Sequence, residues 1–199
     1  MAEKKVMRGA NWARVYHAYF QEMVVKGLTD LAYRAFGADV GFGVVADIVE
    51  RGAERGFRVL HEELRKEGVD LSGLDVMGLL EYEVKCHRYA VERMGVEFQV
   101  FEEAREEEPG RRYALYTRNC VYRDIAEKNP LICALMVGLT TGILKGMGLK
   151  ARWISSPKRK KQLCLATGTE RPDYVVYCDP ETRLPECKVV IERLECPES

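Results

Sequence analysis

Thiols and imidazoles are the side chains of this 199-residue chain best suited to chemistry: Cys86, Cys120, Cys133, Cys164, Cys178, Cys187 and Cys196, with His17, His61 and His87. Thiolates bind soft metals and attack electrophiles. Cys120, Cys133 and Cys164 surround the most apolar segment, PLICALMVGLTTGILKGMG, and are expected in one neighbourhood, where they could hold zinc or supply a nucleophile. No pair has the close spacing of a zinc knuckle, and a buried free cysteine packs as a small hydrophobe, so inert packing is the ordinary reading of each one. Cys178, Cys187 and Cys196 recur at equal separation, but a strand and its turn are expected to disperse them. The odd number and wide scatter do not resemble a secreted disulfide framework, so all seven read as thiols. His87, in YEVKCHRYA, is the best-placed haem ligand of the three histidines; packing is the favoured reading, and haem is not expected. The sequence has no HExxH, nucleophile elbow or phosphate-cradling GK[ST] loop. GADVGFG is not a dinucleotide fingerprint, because no strand precedes it. No catalytic constellation is readable.

Gly138, Gly142 and Gly146 recur every fourth residue of the apolar segment. On a helix they form one bare stripe, which admits another backbone or a flat ligand. Packing against another helix, including one across a dimer, is favoured over a ligand wall. A pocket is expected between the helix from Leu131 to Met147 and its neighbours, lined by Leu135, Leu139, Gly142 and Ile143 with an aromatic such as Phe98 or Tyr116. Such a site is apolar with few polar anchors and takes an apolar small molecule. The bland alternative is a filled core.

The elements that must position these groups follow from periodicity. Trp12, Val15, Tyr16, Tyr19, Phe20, Met23, Val24 and Leu28 recur at helical spacing, with Asn11 as a plausible cap. A second helix is expected from about Asp39 to Lys66, with Val40, Val44, Ile48, Phe57, Leu60 and Leu64 in its core and Gly68 as its stop. A third begins near Asp75 and ends before Gly95. The period then turns to alternation at Val96, Phe98 and Val100, which reads as one strand of a hairpin whose tip is EEAREEEPG and whose partner is RRYALYT. A short helix follows around Tyr122 to Lys128, and Pro130 opens the apolar helix. LKARWIS and KQLCLAT read as strands around the basic turn SPKRKK, and PDYVVYC and KVVIERL as two more. The fold class is therefore α+β, a helical N-terminal half packed on a mostly antiparallel sheet with one central, buried, glycine-bearing helix, in a single domain.

Composition narrows the partners. The 31 basic and 31 acidic residues balance, so no global field draws the chain to nucleic acid or an anionic membrane. Lys158, Arg159, Lys160 and Lys161 read as a solvated tip, and nucleic acid is not expected. The apolar segment carries Thr140, Thr141 and Lys145, which argues for a buried helix over a membrane span. MAEKKVMRGANW has no signal-like apolar core, so a cytosolic location is expected. Asn and Gln occur three times each, a thermophile-like habit. The surplus of apolar helix leads us to expect a homodimer.

The order of features is a helical half, a hairpin, Asn119–Cys120, Pro130, Cys133, GLTTGILKGMG, and Cys164 followed by Ala166 and Gly168. Over roughly residues 74 to 177 it resembles the four-vinyl-reductase domain family of hydrocarbon-binding proteins, which shares its fold with TRAPP trafficking-complex subunits and is distantly akin to haem–nitric oxide sensor domains. The resemblance implies an α+β fold, a dimer, and an apolar pocket between helices and sheet with cysteines near its mouth. The family's strand after the glycine usually bears a further cysteine. Here GTERPDYVVY offers Asp173 and Tyr174 and delays its cysteine to Cys178, which weakens any carried-over metal site. Two function classes stand: an apolar-ligand binding or sensing module, and a cysteine-dependent enzyme or metal-binding protein using Cys120, Cys133 and Cys164.

Overall fold

Trp12–Phe20 forms α1, which passes through a π-helical turn, Gln21–Lys26, into the 40-residue α2, Gly27–Lys66. The computed structural model describes residues 12–94, 100–165 and 170–196. α2 is two helical segments joined at Gly37, whose φ of 72° only glycine takes without strain. Gly68, at φ 82°, follows the end of α2 where the sequence places a stop. Asp75 caps α3, Val76–Met94, by accepting a hydrogen bond from the Gly78 amide at 2.8 Å. Strands β1 (Glu103–Glu108) and β2 (Arg112–Thr117) form the hairpin. Then come α4 (Arg123–Ala126), α5 (Ile132–Gly146), β3 (Ala151–Trp153), α6 (Lys160–Leu165), β4 (Tyr174–Cys178) and β5 (Cys187–Arg193).

The five strands lie in the order β1-β2-β5-β4-β3, antiparallel except for the β3–β4 pair. Alternation divides the sheet's two faces. Val176, Val189 and Ile191 join the main core with α5, whereas Val175, Tyr177 and Val190 form a smaller core with Leu163 of α6. The architecture is the α+β arrangement that periodicity indicates. Among the described residues, no helix is long and apolar enough to cross a membrane.

α5 is the buried centre, and its glycines lie against α2. A methyl group at Gly138 would come 2.6 Å from the Ala46 carbonyl oxygen, and one at Gly146 would come 3.1 Å from Phe57 Cβ. The glycine stripe is thus a helix contact within the chain. Lys145 on α5 reaches back to Glu50 of α2 at 2.5 Å.

Three local readings need correction. Val40, Ile48 and Leu60 of α2 are exposed, while Gly41, Val45 and Ala46 are buried. The contact face of α2 is set mainly by its small residues, which admit α5; of the large residues named from the sequence, Phe57 is buried there against Gly146. The acidic run is strand β1 itself and not a hairpin tip, because this edge strand is mostly exposed and its charges pair locally. Arg105 bonds Glu103 and lies 4.2 Å over the Tyr116 ring, and Arg112 pairs with Glu107. KQLCL, the described part of KQLCLAT, belongs to helix α6 and not to a strand. Ser156 accepts a hydrogen bond from the Lys158 amide and Pro157 occupies the first helical position, which together start a helical turn that continues into α6. Asn11, Val96 and Phe98 lie outside the described residues.

Candidate functional site

A cavity of about 510 Å³ opens between the Gln21–Lys26 turn, α2, α3 and α5. Its wall includes Leu135, Leu139 and Ile143, three of the residues singled out from the sequence. They lie on α5 at positions i, i+4 and i+8, one stripe of the helix, while Gly138, Gly142 and Gly146 form another that is closed by α2. Gly142 is therefore helix packing and does not line the cavity. Tyr116 is also elsewhere, on β2 beneath Arg105, and Phe98 is outside the described residues. Val24, Val49, Phe57 and Leu79 are among the further apolar residues of the wall.

Few polar groups share this wall. Tyr82 hydrogen-bonds Cys86, and burial pushes its hydroxyl up to about 12. Tyr122 is hydrogen-bonded by Gln21. Glu83 is 7% exposed, and neither of its carboxylate oxygens has a hydrogen-bond partner among the described residues. His87 Nε2 stands 3.9 Å from it, beyond hydrogen-bonding distance. Glu83 escaped the sequence reading, although a signal was present: it follows the buried Leu79 by four residues and precedes His87 by four, which places all three on one face of α3.

The thiols group differently from the sequence expectation. Cys164 is bonded to Cys196 in a disulfide on α6, against the sheet face opposite α5, and so cannot join Cys120 and Cys133. The reading of all seven cysteines as thiols is corrected accordingly. Cys178 and Cys187, expected to be dispersed, close the set instead, since β4 and β5 are paired neighbours and carry both residues to the α5 side. The four thiols line a small pocket of about 150 Å³ as two hydrogen-bonded pairs, Cys120 with Cys187 and Cys133 with Cys178. They do not form a tetrahedral set. Among the described residues, no three His, Cys, Asp or Glu side chains are arranged to hold a metal ion.

Within each pair one thiol donates to the other and stabilises its thiolate. The hydrogen bond from Cys187, aided by one from the Tyr122 backbone, brings Cys120 down to about 7, while Cys187 itself is pushed up. Cys133 is lowered in the same way by Cys178. Iodoacetamide labelling of the folded protein, mapped by mass spectrometry across pH, should show Cys120 reacting at lower pH than an ordinary cysteine. Exposed Cys86, raised by desolvation, should react at higher pH than an ordinary cysteine. A Cys120 profile matching that of free cysteine would mean the pair is not formed in solution.

A larger and more polar cleft of about 920 Å³ runs between α2, β3 and α6, and its charge is only partly paired: among the described residues, Arg51, Arg152 and Arg159 on its wall have no acidic partner. Lys145 pairs with Glu50 and Glu54, and Lys150 pairs with Glu170. The apolar cavity is the better candidate site. Compared with protein-family models and with curated proteins, the chain matches none.

Proposed function

We propose that this protein is a cytosolic apolar-ligand binding or sensing module, with its site in the cavity between α2, α3 and α5. The observation that carries the reading is a space of about 510 Å³ walled by Leu135, Leu139, Ile143 and their apolar neighbours. Ligand sites start at roughly 300 Å³, and a core packed at crystal density leaves no such space. It is also the function implied by the likeness to the four-vinyl-reductase domain family. Native mass spectrometry of protein purified from its own host should show a retained apolar molecule. Leu139→Trp, which puts an indole into the space, should weaken binding of a fluorescent apolar probe at least about tenfold, since a blocked pocket forfeits more than 1.4 kcal/mol of buried apolar contact. Equal probe binding by this variant would remove the cavity from consideration.

A regulatory module of this kind acts through a partner, and the nearest is a second copy. Tyr16, Tyr19, Leu31, Phe36 and Val40 are each more than half exposed on α1 and the first part of α2. So many uncovered apolar side chains on one stretch favour a homodimer. Light scattering at micromolar concentration should give twice the 22.7 kDa of the chain, and a monomer mass would remove the proposal. A second reading, thiol chemistry in the four-cysteine pocket, rests on the grouping of the thiols and on the lowered Cys120 and Cys133.

A further inference from the structure

We infer that the molecule held in this cavity is apolar with a single hydrogen-bond-donating head, an amine or a hydroxyl, which docks on Glu83; the inference rests on the cavity being a ligand site. Glu83 lies in the cavity wall, more than nine-tenths buried, with both carboxylate oxygens unpartnered among the described residues. A buried carboxylate without a donor is costly, and native proteins rarely leave one. A purely structural role would be served better by a leucine at this position, which sits on the same face of α3 as Leu79.

The other polar groups of the wall cannot relieve it. Tyr82 is engaged with Cys86, Tyr122 with Gln21, and His87 Nε2 stands 3.9 Å away, beyond hydrogen-bonding distance. Among the described residues no donor reaches Glu83, and a molecule that fills the space can supply one. An ammonium or hydroxyl head supplies it, while the hydrocarbon part covers Leu135, Leu139 and Ile143. A carboxylate head would set acceptors against acceptors. Fatty acids are thus disfavoured, although they match the cavity's apolar wall.

The test is displacement of a fluorescent apolar probe by decylamine, 1-decanol and decanoate, each below its micellar concentration. The wild-type chain, Glu83→Gln and Glu83→Leu are compared. A hydrogen bond to a charged group contributes about 1.5–3 kcal/mol, so wild type should prefer the amine and the alcohol over decanoate by at least about tenfold. Glu83→Leu should still bind the probe and treat all three competitors alike, and it should melt no lower than wild type because it removes an unsatisfied buried group. Glu83→Gln, which keeps an acceptor oxygen but removes the charge, should favour the amine over decanoate less strongly than wild type does. Equal competition in wild type, or an undiminished preference in Glu83→Leu, overturns the head-group assignment and leaves the cavity reading standing. A wild-type chain that binds no probe overturns both.

Discussion

Gly142→Ala should destabilise the protein by about 3 kcal/mol, the upper part of the range for overpacking a core. The added methyl group would run into the Glu50 carbonyl oxygen and lie 2.6 Å from Ala53 Cβ and 2.8 Å from the Glu54 amide nitrogen. Two of those neighbours are backbone of α2 and cannot step aside, so α5 would have to move off α2 and give up the close contact along the whole stripe. Alanine gains only about 1 kcal/mol over glycine in a helix, too little to offset this. Gly52→Ala is the matched control. It lies in α2 with nothing within 4 Å of an added Cβ, and it should stabilise by about 0.5–1 kcal/mol. Urea titrations of both variants check the pair: opposite shifts in midpoint are expected, and a Gly142→Ala midpoint that rises like that of Gly52→Ala would show that the helices are not in contact there.

How the helices meet was half legible in the sequence. The four-residue glycine spacing and the apolar run from Pro130 to Gly148 announce a buried helix with one bare stripe. They do not say whether the stripe meets α2, a second chain or a ligand. α2 half hides its own contact face, because its apolar residues surround the helix and, apart from Phe57, the buried ones, such as Gly41, Val45 and Ala46, are small. A search for large side chains therefore finds Phe57, which is buried, but also takes in Val40, Ile48 and Leu60, which are exposed.

The candidate site shows the same division. Leu135, Leu139 and Ile143 share a stripe by helical spacing alone, so their common place in the cavity wall was within reach of periodicity. The grouping of Cys120 and Cys133 with Cys178 and Cys187 was not. It depends on β4 and β5 pairing as neighbours and on the register that sets Cys178 opposite Val189, and both are properties of the sheet and not of any local pattern. Glu83 falls between these cases. Its phase in α3 is readable, but its want of a partner becomes visible only once the surrounding side chains are in place.

Reduction of the Cys164–Cys196 disulfide should lower stability by about 4 kcal/mol, the chain-entropy value for a separation of 32 residues. The bridge spans β4 and β5 and fastens α6 against the sheet, so opening it frees the segment that covers Ile154, Val175, Tyr177 and Val190. What remains to hold α6 is modest: Leu163 in that smaller core and Lys160 paired with Glu192 at 2.6 Å. A charged hydrogen bond of this kind, only about a quarter exposed, contributes about 1.5–3 kcal/mol, still short of the disulfide. For a chain of this size the loss corresponds to a fall in melting temperature of about 8–16 °C. Two measurements fix the cause. Unfolded without reductant, the protein should take up iodoacetamide at five cysteines, and at seven after reduction. Cys164→Ser with Cys196→Ser should reproduce the lower denaturant midpoint and show no further response to reductant. A midpoint indifferent to reductant in the unmodified protein, with seven thiols labelled at the outset, would mean that the bridge is open in solution and that α6 is held by its packing alone.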